Sequence, residues 1–214
     1  MADALDALAA GVPRTLLVTL AALLIGVAAA VPLTVARRSA RPLVRAPADA
    51  AVDVLRSVPP VAWLFLLYFG LPSVGAEPPA LGAAVAGLGL IAAAYVAEIY
   101  RAGLASVPPE QDAAARALGL GPVDRIRHVV GPQALVVVLP ALGTYAVGLL
   151  KDSAIVSTIG VADVTYHALG ESQRTLDGLA VFGAAAVLYL AMSLPVGLLA
   201  RHLAARHADG VGAR

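Results

Sequence analysis

The chain has no cysteine and only one lysine, Lys151. Without thiols it can form neither disulfides nor thiolate metal sites. The lysine lies in the sequence LLKDSA, which excludes the GxxxxGKS/T loop that binds nucleotide phosphates. The four histidines are scattered, with no HExxH pair and no Ser/His/Asp set. We therefore expect no catalytic residue, no metal site and no cofactor in this chain.

Charged residues are also scarce. They make up 14% of the chain, whereas 60% of its residues are apolar, a composition typical of proteins that lie in a bilayer rather than of soluble domains. The net charge of +1 gives no indication of a nucleic-acid partner. Membrane lipid is the expected surrounding.

Long apolar runs predict five transmembrane helices in an all-α, polytopic protein. The first uncharged run, residues 15–36, is 22 residues long and as a helix would span roughly 33 Å, enough to cross the hydrocarbon core. The predicted spans are residues 13–36, 52–71, 80–100, 129–150 and 178–200. Pro59 and Pro60 lie in the second span, where we expect a bend. Residues 1–214 contain no repeat or linker and are predicted to form a single transmembrane domain.

Basic residues predict the orientation. Four arginines occupy the short loop after the first span: Arg37, Arg38, Arg41 and Arg45. The positive-inside rule places this loop in the cytoplasm, with the N-terminus outside and the C-terminus inside. Twelve of the fifteen basic residues then fall inside, and the remaining three are Arg14, Lys151 and Arg174.

The longest polar interruption between two apolar runs predicts a short cytoplasmic helix between spans 3 and 4, over residues 109–118. Pro109 suits the first helical position, and Glu110 and Asp112 favour the positive end of the helix dipole. Gly119 is expected to end the helix in a left-handed conformation. Such a helix is too polar for lipid and too short to be stable alone, so it needs a partner.

Several motifs, in this order along the chain, resemble a known family. The sequences AAARALGL (113–120), PQAL (132–135) and LP (139–140) resemble the cytoplasmic EAA loop of bacterial ABC importer permeases. The segments LRSVPPVAWLFLLYFGLP (55–72), AAYVAEIYRAGLASVP (93–108) and LLKDSAIVSTIGV (149–161) resemble the polar amino acid branch of that family. One position departs from the pattern, because Ala113 stands where the family has its namesake glutamate. Either the carboxylate is displaced to Asp112, with Glu110 also near, or its contact is weakened.

The resemblance implies a permease of the type I importer fold in the bacterial plasma membrane. It implies three protein partners: a second permease subunit, identical or homologous, a cytoplasmic ABC ATPase dimer that binds ATP and Mg²⁺, and an extracytoplasmic solute-binding protein. The short helix would then be a coupling helix that docks on the ATPase. The residues expected to take part are Glu110, Asp112, Ala113, Ala114, Arg116, Ala117, Leu118 and Gly119. The alternative is a surface helix resting on lipid headgroups.

One dense polar group adjoins a span on the predicted outer side, and we interpret it as part of the substrate path. It consists of Lys151, Asp152, Ser153, Ser157 and Thr158. A zwitterionic amino acid needs both signs of charge, or helix ends in their place, along its path. The alternative is that Lys151 reaches the outer interface and pairs with Asp152 without touching solute.

At the inner boundary, Glu98 and Arg101 lie on one helical face and are expected to form an ion pair.

The leading functional hypothesis is the permease subunit of an ATP-driven importer for polar amino acids. A permease for another small solute, such as a quaternary amine osmoprotectant or methionine, is the nearest alternative. An ion-coupled secondary carrier is a different class, and it predicts charged residues in the middle of spans, where this sequence has none. A membrane scaffold would leave the polar hairpin after the third span unexplained.

Overall fold

The computed structural model describes residues 2–212, with side chains placed for residues 4–207. These residues form helices and no strands. Four of the helices are long and apolar enough to cross a membrane, and the count becomes five if one bent pair is a single span. The prediction of an all-α, polytopic membrane protein is confirmed at this level.

Nine α-helices follow one another along the described chain. They are α1 (Ala2–Arg37), α2 (Pro42–Ser57), α3 (Pro60–Phe65), α4 (Ala80–Ala105), α5 (Pro109–Ala117), α6 (Pro122–Arg125), α7 (Gly131–Asp152), α8 (Val164–Thr175) and α9 (Gly178–Gly212). α3 continues through a π-helical turn (Leu66–Gly70) and a 3-10 turn (Leu71–Val74). A π-helical turn (Ile126–Val130) joins α6 to α7, and a 3-10 helix (Ser153–Ile159) follows α7.

The second predicted span, residues 52–71, is not one helix. The chain turns by 102° between α2 and the segment from Pro60 to Val74. Val58 and Pro59 are both extended, with ψ values of 133° and 140°, because a proline disfavours the helical conformation of the residue before it. The predicted bend is therefore present, and it is close to a right angle. Residues 52–57 belong to α2, whose inward face buries Ala48 and Val52.

Small residues bring α1 and α4 into close contact at the centre of the fold. A Cβ atom on Gly26 would lie 2.5 Å from the Cβ of Ala92, and one on Gly89 would lie 2.9 Å from Ile25. Such positions allow helix backbones to approach within the bilayer. α4 is the most buried of the four long helices and α9 the least. In their most apolar stretches, 61% of the residues of α4 and 11% of those of α9 are buried.

A buried polar network fixes the start of α8 against α1 and α9. Asp163 is fully buried and caps α8, accepting hydrogen bonds from the Tyr166 N–H at 2.8 Å and the Tyr189 hydroxyl at 3.1 Å. The Thr15 hydroxyl accepts from the Val164 N–H at 3.2 Å. Burial raises the pKa of the Asp163 carboxyl above its usual value, although these hydrogen bonds oppose the shift. A Cβ on Gly11 would lie 2.4 Å from the Asp163 backbone, so glycine is required for this contact.

Candidate functional site

The polar hairpin between α4 and α7 begins with α5, and its two ends are set by local sequence. Pro109 occupies the first turn, and Gly119 follows the helix in the left-handed conformation, with φ of +79°. The Leu120 N–H donates to the Ala115 carbonyl at 3.1 Å, and the Gly119 N–H donates to the Arg116 carbonyl at 2.9 Å. This is the Schellman arrangement that glycine favours. The helix predicted over residues 109–118 is therefore present as α5 (Pro109–Ala117), and Gly119 has the predicted left-handed conformation.

Asp112 holds the hairpin together from within. Its carboxylate accepts a hydrogen bond from Arg116 Nε at 3.1 Å, one turn away on α5. Its other oxygen lies 3.2 Å from Nε of Arg125 on α6. One of the two carboxylates near Ala113 is thus occupied inside the hairpin, while the Glu110 side chain is exposed.

The outer surface of the hairpin is apolar at its turn. Leu118 is 81% exposed, Val123 76% and Ile126 51%, and we call these three residues the hairpin patch. The predicted docking alanines Ala113, Ala114 and Ala117 are also exposed, whereas Ala115 is buried against the hairpin. Sequence reasoning selected Leu118 but missed Val123 and Ile126. The sequence feature that could have identified them is their spacing, because Val123 and Ile126 are three residues apart and share one face of a helix start that is otherwise polar.

The hairpin is attached to two spanning helices that pack tightly on each other. A Cβ on Gly103 of α4 would lie 2.3 Å from the Val138 side chain of α7. On the other flank, the π-helical turn brings the Ile126 carbonyl within 2.3 Å of where a Cβ on Gly131 would stand. π-helical turns are frequent at functional sites and interrupt regular helix bonding. A force on the hairpin would therefore reach α4 and α7 directly.

An ionic cluster surrounds Glu98 at the same end of the molecule. The predicted pair is present, with Arg101 donating from Nε at 2.9 Å and from Nη2 at 2.8 Å. Arg37 Nη1 also lies 2.7 Å from Glu98, and Arg56 Nη1 lies 3.5 Å away. Arg37 donates its Nε–H to Asp49 at 2.8 Å. The cluster thus joins the ends of α1, α2 and α4, and sequence spacing identified only its local pair.

The structure divides the predicted path residues into two sets. Lys151, Asp152 and Thr158 are exposed, and no ion pair joins Lys151 to Asp152 in the described part of the chain. Ser153 and Ser157 are buried, and their hydroxyls donate to the carbonyls three residues before them, at 2.7 and 2.8 Å. The two serines thus help to form the 3-10 turn, whereas the other three side chains face outward.

Lys151 also lines a groove between α7 and α9, with a volume of about 890 Å³. Arg201 lies in the same groove, together with the polar side chains of Thr144, Tyr189 and Ser193. Small residues of both helices form much of its floor. The groove thus combines cations with hydroxyl groups along two membrane helices, and sequence reasoning had not placed Tyr189 or Ser193 in it.

Comparison with known proteins agrees with this architecture. Residues 22–208 match the family described as binding-protein-dependent transport system inner membrane component. The chain is 34% identical over 182 residues to a probable amino-acid ABC transporter permease of Bacillus subtilis (strain 168), covering 85% of this chain and 80% of the relative. It is 33% identical over 202 residues to the nopaline transport system permease of Agrobacterium fabrum, covering 90% and 84%.

Solved structures share the fold. One is a crystal structure of an amino acid ABC transporter with histidines, which matches with a TM-score of 0.88 and 35% identity over 94% of both chains. Another is the methionine ABC transporter MetNI in an inward-facing conformation, with a TM-score of 0.77 and 22% identity over 94% of this chain and 95% of the other. At that identity the second match shows the fold alone.

Proposed function

Because the chain belongs to the family of inner membrane components of binding-protein-dependent transport systems, we propose that it is the permease subunit of an importer for polar amino acids. The resemblance drawn from its motifs is confirmed, and the chain is a multi-pass protein of the bacterial plasma membrane. The observation that supports the substrate class is the match to amino-acid permeases over more than four fifths of this chain. Methionine and quaternary amines remain the competing solutes.

In this proposal ATP and Mg²⁺ bind to a separate cytoplasmic ATPase, and the hairpin docks on it. The hairpin patch supports this role. Leu118, Val123 and Ile126 are large apolar side chains, each more than half exposed, in a hairpin that is otherwise polar, and exposed apolar groups of this kind are typical of protein contact sites. Internal pairing of Asp112 keeps the hairpin rigid enough to transmit a displacement. A solute-binding protein outside and a second permease subunit complete the assembly.

Substitution of Gly119 by valine tests the coupling role. A β-branched residue at φ +79° is strained, so the helix end and the hairpin patch should shift. We expect the protein to insert but to take up less solute per ATP hydrolysed. Gly75→Val is the matched control, because Gly75 has φ of +84°, also has open space around it, and lies in the loop on the opposite side. Equal ratios of uptake to ATP hydrolysis in the two variants would contradict docking.

The orientation has its own test, since the chain has no cysteine. Leu118→Cys and Val74→Cys introduce thiols at positions that are 81% and 76% exposed. We expect a membrane-impermeant maleimide to label the second in intact spheroplasts and the first only after permeabilisation. Labelling in the reverse order would place the hairpin outside and refute both orientation and coupling.

For the substrate path we propose that Lys151, Asp152 and Thr158 contact solute on the outer side, where Lys151 lines the end of the α7–α9 groove. Their exposure supports this role, while the buried Ser153 and Ser157 would act by positioning the turn. The test is uptake into vesicles containing the permease, its ATPase and its binding protein, with labelled amino acids as competitors. Competition only by methionine or by quaternary amines would select the alternative solutes. Accumulation without ATP would support a secondary carrier instead.

A further inference from the structure

A second groove lies between α1, α4 and α7, at the end of the molecule that holds the arginine-rich turn. Its volume is about 960 Å³, and aliphatic side chains line most of it, including Val31, Val35, Leu135 and Leu142. Ile126 of the hairpin patch also lines it. Arg38 and Arg41 line one end. The groove is thus apolar along its length and cationic at its mouth.

The two arginines at the mouth have no acidic partner among the residues that the structure describes. The neighbouring Arg37 is different, because Asp49 and Glu98 both contact it. Two guanidinium groups that line the same groove therefore remain available to an anion from outside the chain. Arginine binds phosphate oxygens through two parallel hydrogen bonds, which suits it to a phosphate diester.

The length of the groove matches one leaflet. From Gly131 to Leu142 its lining follows α7 over twelve residues, whose eleven rises span roughly 16 Å of helix. Half of a hydrocarbon core is about 15 Å thick. An acyl chain that begins at the level of the arginines would end near the bilayer midplane.

The orientation of α2 sets the depth of the mouth. The chain bends by 102° between α2 and the segment that follows it, so α2 and that segment cannot both run along the membrane normal. Leu43 at its first turn is 92% exposed and Val44 is 42% exposed, as in helices that lie in the headgroup region. Arg41 directly precedes them, at headgroup level.

We propose that this groove binds one anionic phospholipid from the leaflet on the arginine-rich side. Its phosphate contacts Arg38 and Arg41, and one acyl chain lies along α7. A groove that is as deep as one leaflet and has cations only at its rim fits a phospholipid better than it fits a second copy of the chain or a partner protein. The inference depends on the bilayer position of the chain and not on the transported solute.

Site-directed fluorescence quenching tests the proposal in the assembled transporter. Val35→Cys places a thiol in the groove, and Val35 is 67% exposed, so a bimane label should not disturb the core. Leu24→Cys is the control, because Leu24 lies on the same helix, is 69% exposed and does not line the groove. The quenchers are brominated phosphatidylglycerol and brominated phosphatidylcholine, at equal mole fraction in vesicles.

We expect phosphatidylglycerol to quench the label at position 35 more strongly than phosphatidylcholine, and both to quench the label at position 24 equally. Each arginine near a membrane surface contributes about fivefold to anionic lipid affinity. In the position 35 variant, Arg38→Gln with Arg41→Gln should therefore lower the preference about 25-fold. Arg45→Gln with Arg206→Gln removes the same charge outside the groove and should preserve it.

Three results would overturn the proposal. The first is equal quenching by the two lipids at position 35 in the chain with all arginines present, a comparison that needs no destabilising variant. The second is a preference that survives loss of Arg38 and Arg41. The third is no quenching at position 35 with normal quenching at position 24, which would mean that a protein surface covers the groove.

Discussion

Replacement of Glu98 by glutamine would remove the negative charge on which three arginines converge. Glu98 lies 2.7 Å from Arg37, whose side chain is only 9% exposed. Arg37 would keep Asp49 at 2.8 Å as its remaining carboxylate. The variant therefore leaves a largely buried cation with half of its ionic contacts, at the point where α1, α2 and α4 meet.

The size of the effect follows from burial. Loss of one partner of a fully buried pair costs about 3–5 kcal/mol. Because Asp49 remains and the Glu98 side chain is 18% exposed, we expect about half of that, roughly 2 kcal/mol. For a chain of this length, this should lower the melting temperature by about 4–8 °C. The assay is thermal unfolding of the detergent-solubilised protein, followed by fluorescence-detected size exclusion.

The matched control is Arg101→Gln, which breaks an ion pair of the same Glu98 from the exposed side. The Arg101 side chain is 52% exposed, so its loss should cost about 0–1 kcal/mol. If Glu98→Gln and Arg101→Gln lower the melting temperature equally, the cluster is a surface feature and the reasoning from burial is wrong.

Three further predictions follow from other contacts. Gly11→Ala should lower the free energy of unfolding by about 1–3 kcal/mol because its Cβ would meet the Asp163 backbone. Gly183→Ala, with open space around it, is the control and should change the melting temperature little. Equal shifts in melting temperature for the two variants would contradict the contact. Burial raises the pKa of Asp163, so the free energy of unfolding should fall as pH rises from about 4 through the raised pKa, where the buried carboxyl ionises. Asp163→Asn should abolish this fall. Parallel pH profiles of melting temperature in the variant and the unchanged chain would argue against a titrating Asp163. Lys151→Ala should weaken solute uptake by roughly 10- to 100-fold if the ammonium binds a carboxylate, with Lys151→Arg retaining part of the activity, and unchanged uptake kinetics would leave Lys151 no contact with solute.

The agreement between sequence and structure is best where the determining residues are neighbours. Pro109 and Gly119 define α5 because a proline at the first turn and a left-handed glycine after the last act within a few residues. The pair between Glu98 and Arg101 was predictable for the same reason, since positions three apart share a helical face.

Agreement fails where distant parts of the chain meet. Arg37 and Arg56 join Glu98 only because α1, α2 and α4 converge, and no sequence spacing signals that contact. The angle at Pro59 is another case. A proline pair predicts a break, but the 102° turn depends on where α2 buries Ala48 and Val52.

By itself, the sequence determined the all-α class, the membrane environment, the short hairpin helix and the family. Each of these depends on composition or on residues close together in the chain, where hydrocarbon thickness and local backbone preferences decide the outcome. The tertiary structure alone decided which polar groups share a groove, which serines are buried and which apolar side chains the hairpin exposes. Those properties depend on how helices pack, and packing brings together side chains that local periodicity cannot relate.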